Sequence, residues 1–237
     1  MADVIAPRPV PRVPVRGGGT FPVHRIYCVG RNFADHAREM GVAPADPAAR
    51  GTPVLFCKPA DAIVTDGQVP YPPATDDLHH EVELVVALGR DAPPGVLDRN
   101  SAESLVFGCT VGLDLTRRDL QAAAKAKAQP WDTGKAFDGS APVGELVPIA
   151  GVGPLEALEL SLDVDGERRQ HGRLADLIWD VPDLLIELSR LFALKAGDLV
   201  FMGTPAGVAA LLPGQAFEAL LGPGIALLSG RVLPKQD

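Results

Sequence analysis

The sequence predicts an α+β domain that is mainly β. Short β-rich apolar runs outnumber helical patterns, and they do not alternate regularly with helices as βαβ units would. In addition, 25 Gly and 23 Pro break the 237 residues into many turns. A doubly wound parallel sheet loses support on the same grounds.

From Pro7 to Thr20 the run PRPVPRVPVRGGGT repeats proline and then meets a glycine triplet. It favours an extended arm over residues 1–20 and a flexible joint before a domain over 21–237. Arg25 to Gly30 (RIYCVG) is apolar and β-rich, and Asn32 can cap a short helix through FADHAREM that Gly41 ends. PVLFCK and AIVT read as strands, with Asp66-Gly67 turning the chain. Glu81 to Leu88 (EVELVVAL) is the clearest strand. LVFGCTVGLDL supplies another, after which Thr116 is placed to cap a helix through RRDLQAAAKA, followed by the polar loop KAQPWDTGKAFDGSAP. LSLDVDGERRQ is a hairpin turned at Asp165-Gly166. A helix from about Val181 to Leu194 has Pro182 at its start, and LVFMG is a strand leading into TPAGV.

Composition narrows the function classes. With 46% hydrophobic and 22% charged residues the chain is ordinary globular protein, long enough for one full core. A net charge of −8 argues against nucleic acid as a general partner, and an anionic ligand would need a local positive pocket. No apolar run approaches a membrane span and the N-terminus lacks signal-peptide order, so a cytoplasmic protein without a membrane partner is expected. Cys28, Cys57 and Cys109 have no metal-ligand spacing and are expected as reduced core residues.

A strand sends alternate side chains to one face, so Glu81 and Glu83 point the same way while Val82, Leu84, Val86 and Leu88 point into a core. Side by side they repel unless a cation or solvent separates them. By spacing alone a solvated sheet face competes with a metal site. Asp114 ends VGLDL, where strand gives way to helix, and adds a third carboxylate of the kind that binds Mg²⁺ or Mn²⁺ while leaving room for water and substrate. His36 and Glu39 share a face of the short helix, where the carboxylate can orient an imidazole of near-neutral pKa or the water it deprotonates; a surface helix contact is the alternative. Arg118 and Gln121 are likewise three apart, one turn after Asp114. Gly203 and Gly207 around Thr204 would let the backbone approach a ligand, or form a bare corner. His79 and His80 are not needed as ligands, because carboxylates suffice for a hard metal. Trp131 is a candidate for the pocket mouth.

The runs CVGRNFADHAREMG, HEVELVVALG, VGLDLTRRDLQ, GKAFD and GTPAGV, in this order, resemble the fumarylacetoacetate hydrolase family, in its branch of small acylpyruvate hydrolases. The resemblance extends from about Phe21 to Val232. FPVHRIYCVGRN and IWDVPDLLIELSR resemble the fumarylpyruvate hydrolases of gentisate degradation within that branch. It implies a mixed β-sandwich or β-roll catalytic domain that forms homodimers. It also implies a metal on Glu81, Glu83 and Asp114, with Mg²⁺ or Mn²⁺ expected and Ca²⁺ as a further option. His36 and Glu39 would activate water, and Lys135 would stabilise developing negative charge. Arg118, Gln121, Thr204, Arg31 and Lys58 would hold a small anionic diketo-acid substrate. Arg117 stands where the family more often has a small residue. The expected reaction is hydrolysis of 3-fumarylpyruvate to fumarate and pyruvate. Oxaloacetate decarboxylation or keto-enol isomerisation on the same site is the enzymatic alternative, and a non-catalytic metal or carboxylate binder is the alternative of another class.

Overall fold

A computed structural model describes residues 3–35 and 50–235. His36, Glu39 and most of the helix expected over FADHAREM lie outside the described residues. Among the described residues the strands fall into five sheets, joined by few and short helices, so the mainly β reading holds.

The larger sheet runs Val147–Pro148, Val106–Leu113, Val82–Leu88, Leu199–Phe201, Ile26–Gly30, Val54–Lys58, with Val82–Leu88 at its centre. The second, five-stranded sheet is built on two hairpins, Glu159–Val164 with Glu167–Arg173 and Ala216–Leu221 with Ala226–Val232, with Gln68–Val69 at its edge. Asp165 and Gly166 turn the first hairpin at φ 51° and 81°, the doubly left-handed geometry that Asp-Gly favours. The two sheets share one core, to which the central strand contributes Val82, Leu84, Val86 and Leu88. Burying each such side chain contributes roughly 1.5–3 kcal/mol.

The opposite face of that strand is also buried. Val85 and Ala87 continue the side that carries the glutamates, and they pack with Val13, Phe21, Val143 and Leu146 in a second cluster. The cover comes partly from the N-terminal segment: Arg12–Pro14 pairs with Thr20–Pro22, and the glycines expected as a flexible joint form the turn between them. Val13 is fully buried, so this stretch of the arm is packed against the domain.

Other expectations shift locally. Asn32 directs its side chain across the fold instead of toward a helix end: Nδ2 donates to the carbonyls of Trp179 (3.0 Å) and Met202 (2.8 Å), and Oδ1 accepts from Trp179 N (2.7 Å). The helix after Asp114 spans Arg118–Ala126 and begins after Arg117, because the Thr116 hydroxyl is engaged by Asp114 and Lys135. The late helix spans Val181–Leu191, capped by Asp180, and stops short of Leu194. A further helix, Arg99–Leu105, was not among the expected elements; Asp98 caps it by accepting from Ser101 N at 2.7 Å. Cys28 and Cys109 are buried as expected, whereas Cys57 is exposed because its strand, Val54–Lys58, is a sheet edge. No helix among the described residues is long and apolar enough to cross a membrane.

Candidate metal centre

Local backbone pairing brings the acidic residues together. Glu83 lies in the central strand and Glu81 just before it, while Asp114 follows the neighbouring strand Val106–Leu113. The Asp114 N–H donates to the Glu81 carbonyl at 2.8 Å, which fixes the end of one strand against the start of the other. One carboxylate oxygen from each of Glu81, Glu83 and Asp114 lies within 4.8 Å of the others, and all three residues are buried. The solvated sheet face is thereby excluded.

Burying carboxylates this close raises the free energy of the ionised state. Burial first, then the charges of Asp114 and Glu81, push the Glu83 carboxyl well above the usual carboxylate range, although Lys135 and a hydrogen bond from Gly203 oppose them. That bond, Gly203 N to Glu83 Oε2 at 2.7 Å, depends on a left-handed glycine at φ 88°, where a Cβ would lie 2.7 Å from the Asn32 Cβ. Here the glycine of GTPAG has a physical reason: it lets backbone reach a buried carboxyl group of the cluster.

Lys135 answers the negative charge. It is the last residue of a one-turn helix, Asp132–Lys135, inside the segment expected as a polar loop, and is only 3% exposed. Its Nζ donates to Glu81 Oε2 (2.7 Å), Asp114 Oδ2 (2.6 Å) and Thr116 Oγ1 (2.7 Å). Burial pulls the ammonium pKa down, but Asp114 and Glu81 more than reverse this, so the charge is held above its ordinary range. Arg118 Nη2 donates to Glu81 Oε1 at 2.5 Å and Nη1 to Gln121 Oε1 at 2.7 Å. The helical pair read from spacing therefore does lean onto the acidic cluster.

Lys58 lies beside the cluster, as its place in the sequence pattern led us to expect. Its buried ammonium donates to the carbonyls of Leu115 (3.2 Å) and Lys135 and lies 2.8 Å from Asp114 Oδ1. These contacts let it position Asp114 and Lys135. Among the described residues Asp114 Oδ1 accepts no hydrogen bond of good geometry, although the Lys58 ammonium faces it at 2.8 Å.

Whether these residues suit a divalent ion can be judged from the donor set. Glu81, Glu83 and Asp114 offer three carboxyl groups, with Lys58, Lys135 and Arg118 paired to Asp114 and Glu81, and among the described residues one buried carboxylate oxygen is without a hydrogen bond. Hard oxygen donors, mutual repulsion and an unengaged lone pair fit an oxygen-seeking divalent metal.

The cavity at this cluster is lined by Glu81, Glu83, Arg118, Gln121, Lys135 and Thr204, joined by Arg31, Lys125, Phe56 and Trp131. Thr204 Oγ1 accepts from Gln170 Nε2 at 2.8 Å, and Gln170 Oε1 also meets His80 Nδ1 at 2.9 Å and Val82 N at 3.0 Å. His80 is thus tied to Gln170 and His79 to Asp77 (2.8 Å), consistent with neither being a ligand. Lys125 escaped the sequence reading, yet it lies one helical turn beyond Gln121, a spacing that could have revealed it. Gln170 offered no such signal, because its role exists only through long-range contacts.

The chain matches the family model described as fumarylacetoacetate (FAA) hydrolase C-terminal over residues 25–232. A solved structure of fumarylpyruvate hydrolase from Pseudomonas aeruginosa in complex with Mn²⁺ and pyruvate is 44% identical, with a TM-score of 0.92, covering 99% of this chain and 100% of that one. The mitochondrial oxaloacetate tautomerase FAHD1 of Arabidopsis thaliana is 41% identical over 82% of this chain and 85% of its own length. The mitochondrial oxaloacetate decarboxylase of Dictyostelium discoideum is 38% identical over 82% of this chain and 87% of its own length.

Proposed function

The chain belongs to the fumarylacetoacetate hydrolase family, and from that premise we propose that it hydrolyses a carbon-carbon bond in an acylpyruvate, with 3-fumarylpyruvate as substrate in gentisate degradation. One observation carries this reading: a buried carboxylate cluster stands at a cavity lined by Arg31, Arg118, Lys125 and Lys135 in a chain that aligns end to end with a fumarylpyruvate hydrolase solved with Mn²⁺ and pyruvate.

In this reading Glu81, Glu83 and Asp114 hold Mg²⁺ or Mn²⁺, with Ca²⁺ the further option. Such an ion supplies Lewis-acid chemistry that fixes a keto acid and spreads developing charge. Arg118, Gln121, Thr204 and Arg31 orient the substrate, and His36, helped by Glu39, takes a proton from water. The water oxygen bonds to the distal carbonyl carbon. The adjacent carbon-carbon bond then breaks, its electron pair passes to the pyruvate half, and a proton completes pyruvate. The oxyanion and the enolate charge form beside Gln121, Arg118 and Lys135, and one such preorganised donor lowers a barrier by roughly 3 kcal/mol. Lys135 suits this because it keeps its proton in a buried site.

Purified protein should convert fumarylpyruvate to fumarate and pyruvate with Mg²⁺ or Mn²⁺, lose that activity to a chelator, and lose it in Glu81→Ala and His36→Ala. Full turnover in the chelated enzyme would refute the metal assignment. The named activities of the oxaloacetate relatives favour a second reading, tautomerisation or decarboxylation of oxaloacetate. Turnover of oxaloacetate with no cleavage of fumarylpyruvate would replace the first reading by the second. A cytoplasmic homodimer completes the proposal, and light scattering of the purified protein should give twice the chain mass.

A further inference from the structure

The cavity holds more positive charge than the acidic cluster consumes. Arg118 is satisfied by Glu81 and Gln121. Arg31 and Lys125 line the same cavity, and among the described residues neither has a carboxylate partner. Their charges lie close enough to oppose each other: burial first, then Arg118 and Arg31, lower the Lys125 pKa to about 8.

Arg31 follows the strand Ile26–Gly30 with φ 62°, a left-handed conformation uncommon for a non-glycine residue and one that often marks functional sites. Lys125 Nζ sits over the Trp131 ring, 4.9 Å from its centroid. Trp131 in turn packs against Phe56, ring centroids 6.1 Å apart. The cavity therefore combines acidic side chains, aromatic surface and two cations that have no ion-pair partner among the described residues.

We propose that Arg31 and Lys125 form a second anion subsite that binds the distal carboxylate of a diacid whose keto-acid end sits at Glu81, Glu83 and Asp114. The keto-acid end rests on the acylpyruvate reading above, and the inference assigns the residues that select for the far carboxylate of that substrate. Reach agrees with it. Arg118, Gln121 and Lys125 share one helix face, and seven residues of rise place Lys125 about 10 Å along the axis from the arginine that touches Glu81. A chain of about seven carbons together with the flexible lysine stem bridges that distance.

Calorimetric titration of the Mn²⁺-loaded full chain tests the subsite with a matched ligand pair, 2-oxoheptanedioate and 2-oxoheptanoate, which differ only in the distal carboxylate. The wild type should prefer the diacid by about tenfold or more. Lys125→Met and Arg31→Met should each reduce that preference to about threefold or less through weaker diacid binding alone. Lys125→Arg should retain it. Equal affinities in the wild type, binding of neither ligand, an unchanged preference in Lys125→Met, or equal weakening of both ligands would overturn the proposal. Fumarylpyruvate turnover by the same preparation is scored separately, so failure of the hydrolase reading is told apart from failure of the subsite.

Discussion

Replacing Lys135 by methionine is the most informative perturbation of the cluster. The ammonium donates to Glu81, Asp114 and Thr116 within 2.6–2.7 Å, and the residue is almost fully buried. Removing one partner of a buried ion pair costs about 3–5 kcal/mol. Arg118 still faces Glu81 and Lys58 still faces Asp114, so the lower end applies, about 3 kcal/mol in metal-free protein. For a chain of this length each kcal/mol lowers the melting temperature by roughly 2–4 °C, which predicts a fall of about 6–12 °C. The variant also lacks the cation that competes for the carboxylates, so saturating Mn²⁺ should stabilise it more than it stabilises the wild type. Thermal and urea unfolding in chelator and across a Mn²⁺ titration would measure both effects. A loss under about 1 kcal/mol in chelator, or equal stabilisation of both proteins by Mn²⁺, would refute the reasoning.

Glu83 gives a pH-dependent test. Its folded pKa is raised, so without metal its contribution favours the folded state at low pH and is lost as pH rises from the unfolded carboxylate value, about 4.3, through the folded one. Metal binding should release up to about one proton at pH 5.5, and Glu83→Gln should release less; equal release in a pH-stat would count against the assignment. Gly203→Ala forces a Cβ against Asn32 at positive φ and should destabilise the protein by about 1–3 kcal/mol while weakening metal binding, both measurable by unfolding with and without Mn²⁺. Asn32→Ala leaves the Trp179 and Met202 backbone groups unpaired and should cost about 3 kcal/mol in urea unfolding; a loss below about 1 kcal/mol would show that the fastening is dispensable.

Much of the site was legible because it is local. Strand period set Glu81 and Glu83 on one face, the end of the next apolar run set Asp114, and helical spacing joined Arg118 to Gln121. What stayed hidden depends on distant contacts. The glutamate face is covered by the N-terminal hairpin and by residues near Leu146, so one-sided alternation could not disclose burial on both sides. Lys135 looked like a loop lysine until a one-turn helix and two strand ends closed around it. Lys58 sits at the end of an edge strand, and only the packing of that strand beside Asp114 discloses the buried ion pair it makes there. Asn32 and Thr116 have the chemistry of helix caps, but stronger long-range partners claim them.

Anomalous diffraction at the manganese edge from crystals soaked in Mn²⁺ would test the central assignment most directly. The account predicts one dominant peak bounded by carboxylate oxygens of Glu81, Glu83 and Asp114, lost in crystals of Glu81→Ala. A peak held elsewhere, or an undiminished peak in that variant, would contradict it.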